Sequence, residues 1–366
     1  MFTTAQSPAF ATTGLKRSVM PTVPSPMLWT NGSSVDSSSY ILELSDAQIE
    51  ELHNALKQFK SLNIDGREIS KENFALPTLG PLLEKATQEV HFGCGIFLVR
   101  GLKPEVIGPE DLVLLFLGIS SYIGEDRGMQ DALGNMLVHL RHDKEHFSGT
   151  GPTRHSNKHC DFHNDKGTDI LSLFVLETAA VGGETLLASV EAVVGRLKTT
   201  HPEIVETLKS PEWNFSYKGP LHPAATRPVL YEHNGRTMMD MSFSAREIKR
   251  MSAKHKAALA VVERTARNLH VELLPVKGDM IFLNNRGVLH GRSQFFDGEY
   301  TGTLNRRHYI RLHLRNKQLS WDLPGPLRTA QTTIFDTQAG LEQRWAVWDS
   351  ETQRFNIDMY DFLDSH

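Results

Sequence analysis

The stretch Phe162-His163-Asn164-Asp165-Lys166-Gly167-Thr168-Asp169-Ile170-Leu171 decides how this chain is read. A histidine and an aspartate stand two residues apart, at His163 and Asp165. In extended backbone, residues i and i+2 point to the same side, so this imidazole and this carboxylate reach one metal ion together. A third ligand has to come from a distant segment. His290, in Leu289-His290-Gly291-Arg292, is the best candidate, 125 residues beyond Asp165. It follows the apolar run Met280-Ile281-Phe282-Leu283, after Asn284-Asn285-Arg286-Gly287 has turned the chain, which puts it near a strand mouth. Two histidines and one carboxylate on one side of an ion leave its other positions open, the arrangement of non-haem Fe(II) oxygenases.

A second pair, His159-Cys160-Asp161, has the same spacing and precedes the first by four residues. Spacing alone does not separate the two. Context favours His163 and Asp165, because a strand over 170–176 follows closely and anchors them. A different chemistry uses the local cluster His155, His159, Cys160 and His163, whose N and S donors suit zinc in a hydrolase or a zinc-clipped protein. That alternative leaves His290 unexplained. A non-catalytic binding protein on the same fold is the third reading, and an intact ligand set argues against it.

The strongest pattern after the ligands is Arg307-His308-Tyr309-Ile310-Arg311-Leu312-His313-Leu314-Arg315. In a strand, Arg307, Tyr309, Arg311, His313 and Arg315 share one face, and His308, Ile310, Leu312 and Leu314 the other. Solvated arginines explain this if only the apolar face is buried. The functional reading turns Arg307 and Arg311 inward, near His290. A guanidinium forks onto a carboxylate with two parallel hydrogen bonds, and a buried one needs such a partner. A dicarboxylate co-substrate supplies it.

Composition narrows the remaining choices. The chain has 366 residues, 40% apolar and 22% charged, with a formal net charge of −4, so a packed core is expected. Nothing in that balance calls for nucleic acid or an anionic membrane as partner. Only Cys94 and Cys160 are present, so a disulfide framework is not expected and a reducing, cytoplasmic location fits. No run approaches the roughly 18 apolar residues of a membrane span. Residues 1–39, rich in Ser, Thr and Pro, read as a flexible tail rather than a targeting signal.

Along the chain, Ser45-Asp46-Ala47-Gln48 reads as a capping box opening a helix, and a second helix is expected over 81–90. The run 95–101 reads as a buried strand, and Pro109 opens a helix with Leu112, Leu115, Phe116 and Ile119 on one face. Strands are expected over 170–176 and 185–190, helices over 191–210, and a hairpin around Asn234-Gly235. Ser244 starts a long helix to about Leu269, and strands follow over 270–274, 279–283 and 307–315. The whole is mainly β with flanking helices. Many short strands carrying the ligands point to a double-sheet jelly roll, the double-stranded β-helix of cupin-like proteins. Residues 40–366 form one domain with a helical insert at about 191–269.

Taken together, these motifs make the chain resemble the taurine dioxygenase/2,4-D dioxygenase family of Fe(II)- and 2-oxoglutarate-dependent oxygenases, and its fungal branch above all. The resemblance runs from about Ser45 to Pro326. It rests on His163-x-Asp165 with Gly167-x-Asp169-Ile170-Leu171, on Gly182-Gly183-Glu184-Thr185-Leu186, on Asn285-Arg286-x-x-Leu289-His290-Gly291-Arg292, and on Arg306-Arg307-x-x-x-Arg311. It implies that His163, Asp165 and His290 ligate iron. It implies that Thr185 and Arg307 hold the distal carboxylate of 2-oxoglutarate, and that Arg311 serves an anionic group of co-substrate or substrate. The implied reaction consumes O2, releases succinate and CO2, and oxidises an unactivated C–H bond of a small anionic or amino-acid-like metabolite, by hydroxylation, desaturation or ring closure. The implied setting is secondary metabolism. One departure is Asn164, where the family often has Thr. Homo-oligomerisation is left open.

Overall fold

In the computed structural model, the Ile170–Glu177 strand is buried along its first seven positions, as a strand covered on both faces should be. The residues described are 25–32, 36–131, 133–142, 155–215, 225–298, 305–336, 342–345, 348–349 and 354–355. Residues 1–24 and 33–35 of the expected tail lie outside them.

The Ile170–Glu177 strand sits inside a seven-stranded mixed sheet. The order is Ile41–Glu43, Ile96–Arg100, Met280–Asn284, Ile170–Glu177, His308–Arg315 and Asp126–Gly128, with Leu137–Arg141 also paired to His308–Arg315. A four-stranded antiparallel sheet runs in the order Val271–Leu273, Thr185–Ser189, Val288–Arg292 and Cys160–His163.

Period-2 alternation sorts the side chains into three layers. Leu171, Leu173, Val175, Ile281, Leu283 and Tyr309 of the larger sheet pack in one cluster with Leu187, Leu273 and Val288 of the smaller one, so the two sheets face each other through it. Phe97, Phe174, Phe282, Ile310, Leu312 and Leu314 turn the other way, against the helices Asp46–Ser61, Gly80–Phe92 and Pro109–Ile123. On the outside of the smaller sheet, Leu186, Ala188 and Leu289 pack against the segment between Val190 and Leu269. The same alternation fixes the site. His290 and Arg292 share parity with Val288, and Arg311 and His313 share parity with Tyr309, so all four face the space between the sheets.

Several local signals have the structure their chemistry implies. The Ser45 capping box is present, with Ser45 Oγ accepting from Gln48 N and Gln48 Oε1 accepting from Ser45 N. Asn234 and Gly235 both take positive φ, 46° and 75°, between the Leu230–His233 and Arg236–Met239 strands, as a tight hairpin turn demands. The Pro109–Ile123 helix buries the expected Leu112, Leu115, Phe116 and Ile119, together with every other residue from Leu112 to Ile123.

Three expectations need correction. The long helix from Ser244 is two helices, Ala245–Arg250 and Ala253–Leu269. Ser252 interrupts it by turning extended (φ −60°, ψ 158°) and capping a new start at His255 N. The insert is correspondingly not all helix, because it also carries the strands Trp213–Phe215 and Ala225–Arg227 and the hairpin above. Finally, residues 25–32 are not a free tail. Met27 and Trp29 are buried, Trp29 Nε1 donates to Cys94 O at 2.9 Å, and Ser189 Oγ donates to Met27 O.

Among the described residues no helix is long and apolar enough to cross a membrane. Cys94 and Cys160 are both free thiols.

Candidate metal centre

His163 ends the edge strand of the smaller sheet, and His290 lies opposite it in register on the neighbouring strand. Their rings stand 4.2 Å apart, centroid to centroid. His290 is thus in mid-strand, not at a strand mouth. Asp165 sits in the turn after His163, and that turn is tied down by Asn285. The Asn285 side chain accepts from Asp165 N at 2.9 Å and donates to Asp165 O at 2.8 Å and Thr168 O at 2.9 Å. Asn164, the departure from the family pattern, points away from the ligands. It donates to Asn285 O at 2.7 Å and accepts from Met241 N at 3.0 Å, so it straps the insert to the turn.

One ligand atom from each of His163, Asp165 and His290 lies within 4.8 Å of the others. Asp165 Oδ1 is 3.9 Å from His163 Nε2 and 3.8 Å from His290 Nε2. His163 Nδ1 meets Asp161 O at 2.8 Å, which leaves Nε2 for a metal. Asp165 Oδ2 is held by Arg311 NH1 at 2.9 Å and His313 Nε2 at 3.0 Å, and Arg311 NH1 also reaches Oδ1 at 3.1 Å. Arg311 is itself oriented by Gln130, whose Oε1 accepts from Arg311 Nε at 2.8 Å.

The electrostatics suit a divalent cation. Burial alone would raise Asp165, but Arg311 and His313 outweigh it and hold the carboxyl well below its usual range. Burial, with His163 beside it, drops His290 to about 3, so its imidazole is neutral. Burial would lower His163 too, yet Cys160 and Asp165 push it up to about 9, and a metal competes with that proton. An ionised carboxylate and neutral imidazoles are the ligand forms iron requires.

Two further buried guanidiniums are Arg307 and Arg292. Arg307 packs over the Tyr309 ring, 3.8 Å from its centroid, and its Nε and NH1 have no hydrogen-bond partner among the described residues. Arg292 is also buried and its Nε likewise lacks a partner among them, while its NH2 donates to Ser156 O and Lys158 O. Burial, then the nearness of Arg307, lowers Arg292 to about 9. Both cations contact the Phe295 ring, at 4.9 Å and 5.5 Å. Buried donors without acceptors are costly, so the pocket fits an anion that brings carboxylate oxygens. Thr185 is buried opposite Arg292 in register, and Gly183 abuts Arg307.

The remaining candidates do not join this centre. Arg315 pairs with Asp126 and Asp336. His159 is exposed and bonds Asp161 at 2.6 Å. Among the described residues the proposed zinc set does not converge. Cys160 lies 3.8 Å from His163 Nδ1, and His159 groups instead with Asp161 and Glu263. Sequence reading missed Arg292, His313, Gln130 and Asn285 as site residues. Counting two residues on from His290 would have found the first.

Two imidazoles and a clamped carboxylate, beside buried arginines with donors left unsatisfied among the described residues, define a non-haem iron oxygenase. A profile described as the taurine catabolism dioxygenase TauD, TfdA family matches residues 39–313, and the chain belongs to that family. It is accordingly a 2-oxoglutarate-dependent dioxygenase that uses Fe(II) and O2. The taurine hydroxylase-like protein SAT17 of Stachybotrys chartarum is 32% identical over 343 residues, covering 89% of this chain and 87% of that protein. Asparagine oxygenase, solved with Fe(II), a hydroxyasparagine and succinate, is similar in fold with a TM-score of 0.59 at 15% identity, over 76% of this chain and 94% of that one. The non-haem iron oxygenase OrfP with Fe and α-ketoglutaric acid gives 0.53 at 15%, over 76% and 95%.

Proposed function

We propose that this protein oxidises an unactivated C–H bond of a small organic anion or amino acid, by hydroxylation unless the substrate radical is diverted to desaturation or ring closure. The observation that supports it most is the combination of an open ligand set, His163, Asp165 and His290, with buried Arg307 and Arg292 donors that lack acceptors among the described residues. Fe(II) with 2-oxoglutarate and O2 supplies the oxidising chemistry when bound, with succinate and CO2 as products.

The chain's own part is positioning. His163, Asp165 and His290 would hold the ion. Arg311 and His313 fix the Asp165 carboxylate so that Oδ1 faces both imidazoles. Arg307, together with Thr185, would grip the distal carboxylate of the keto-diacid. The apolar cluster between the sheets keeps water from the far side. In this reading the two facing sheets are a double-stranded β-helix, residues 40–366 are one domain, and the free thiols suit the cytoplasm.

The test is anaerobic addition of Fe(II) and 2-oxoglutarate, watched for a visible charge-transfer band, followed by succinate release across a substrate panel. His290→Ala should lose both. A band and turnover that survive that change would remove the ligand set and with it the reading.

A further inference from the structure

A cavity of about 550 Å³ opens beside the Cys160–His163 strand, the free edge of the smaller sheet. Of the three metal ligands only His163 lines it. His163 is also the most open of the three, its side chain 15% exposed against 11% for His290 and 3% for Asp165. The volume falls in the range that houses drug-sized ligands, roughly 300–1,000 Å³.

Its lining is apolar in the main. Met241 and Phe243 come from the insert, and Leu259 and Ala260 from the Ala253–Leu269 helix. The wall is firm. Phe243 stacks on Phe215 at 4.5 Å and on Trp213 at 5.7 Å, and Met241 N is bonded to Asn164 beside the metal turn. Ile248, 39% exposed, also lines it and offers apolar surface that a ligand would cover.

The charges along it are unequal. Glu263 is bound by Phe162 N at 2.8 Å and by Arg267 at 2.7 Å. Asp161 is bound by His159 and by Arg267. Lys256 donates to Lys249 O. Lys256 and Arg264 therefore line the cavity with no acidic partner among the described residues. Arg311 is not available to a substrate's acid group, because Asp165 already holds it.

We propose that this cavity takes the primary substrate, and that the substrate has an apolar body, set against Met241, Phe243 and Leu259, and one anionic group, set on Arg264. The assignment of the ligand as the molecule oxidised rests on the oxygenase reading. The class of ligand is tested without it.

The probes are 1-anilinonaphthalene-8-sulfonate and its uncharged relative N-phenyl-1-naphthylamine. Both should bind the full-length protein at one saturable site. Arg264→Glu should weaken the sulfonate roughly fivefold and leave the neutral dye nearly unchanged. Ala260→Trp, which fills the cavity from an exposed position, should abolish both. Raising salt from about 0.05 to about 0.5 M on the unaltered protein should weaken only the sulfonate, so the charge argument is tested even if a variant misfolds. Co(II) bound at His163, Asp165 and His290 should quench both dyes.

Equal loss of the two dyes with salt, binding that survives Ala260→Trp, or emission indifferent to Co(II) each overturns the proposal. Succinate release measured in parallel separates the failures. A correct dye pattern without any 2-oxoglutarate turnover keeps the ligand class and sinks the reading of that ligand as the molecule oxidised. Turnover with the wrong dye pattern does the reverse.

Discussion

Asp165 is where the site's charges meet, and its two oxygens are unequally engaged. Arg311 NH1 reaches both, at 2.9 Å from Oδ2 and 3.1 Å from Oδ1, His313 Nε2 holds Oδ2 at 3.0 Å, and Oδ1 also faces both imidazoles. Partners that orient a ligating carboxylate typically contribute about 10–100-fold in metal affinity. Arg311→Gln should therefore weaken Co(II) binding by about that factor, read by titration of its visible bands. The 2-oxoglutarate affinity of the metal-loaded variant should stay within a few fold. The opposite split would return Arg311 to the co-substrate, as the family resemblance implies. Arg292→Gln should do the reverse of this, raising the 2-oxoglutarate dissociation constant by tenfold or more, since a buried charge-assisted contact contributes about 2–5 kcal/mol. Unchanged co-substrate affinity in a variant of normal melting temperature would exclude Arg292 from that site. The convergence of His163 and Asp165 with His290 was legible because residue type and spacing coincide at the first two. Gln130 was not, since it meets Arg311 across 181 residues and no local pattern announces it.

At the scale of elements, backbone chemistry was legible wherever one residue type is nearly obligatory. Asn234-Gly235 gave the hairpin and Ser45 with Gln48 the helix start. The break at Ser252 was not legible, because a serine inside a helical pattern is as easily tolerated as it is a new cap. The even burial of the Pro109–Ile123 helix was hidden for a related reason: periodicity describes one apolar face, not the neighbours that cover the others. The glycine turn before Thr185 carries a consequence for function. Gly183 has φ +82°, and a Cβ there would stand 3.2 Å from Phe295 Cβ and 3.3 Å from Arg307 Cδ. Gly183→Ala should cost about 1–2 kcal/mol of stability for its left-handed backbone. It should also raise the 2-oxoglutarate requirement by displacing Arg307, with metal affinity unaltered. Gly195→Ala is the contrast, because it lies within the Val190–Thr200 helix and a Cβ there meets nothing within 4 Å. That change should stabilise the protein by roughly 0.5–1 kcal/mol in urea unfolding. Equal effects from the two substitutions would show that the turn has no special hold on Arg307.

Across the whole molecule, alternation explains how one sequence builds a polar centre between two apolar sheets. Val288 and Tyr309 pack inward, and His290, Arg292, Arg311 and His313 follow them by parity. That much follows from strand periodicity, and a β-rich core was readable in advance. The order of seven strands was not, because strands such as Met280–Asn284 and Ile96–Arg100 pair across long separations that leave no mark on local sequence. Nor was the anchoring of Met27 and Trp29 in the core. The insert is joined to the centre through Met241 and Asn164, and one residue earlier Asp240 pairs, fully buried, with Arg227. Burial would raise the Asp240 carboxyl, but Arg227, Arg286 and the Ser242 hydroxyl together outweigh it, and its pKa lies below the ordinary value. A depressed folded-state pKa means stability that is fully present above the unfolded value, near 4, and lost as pH falls through the folded one. Breaking such a pair from one side costs about 3–5 kcal/mol, because the remaining charge is stranded. Asp240→Asn should therefore lower the urea midpoint strongly at pH 7 and much less at pH 3. The gap between variant and unaltered protein should close as the medium is acidified. Acid limbs that run parallel in the two proteins would mean that the Arg227–Asp240 pair is not what keeps the insert folded onto the metal turn.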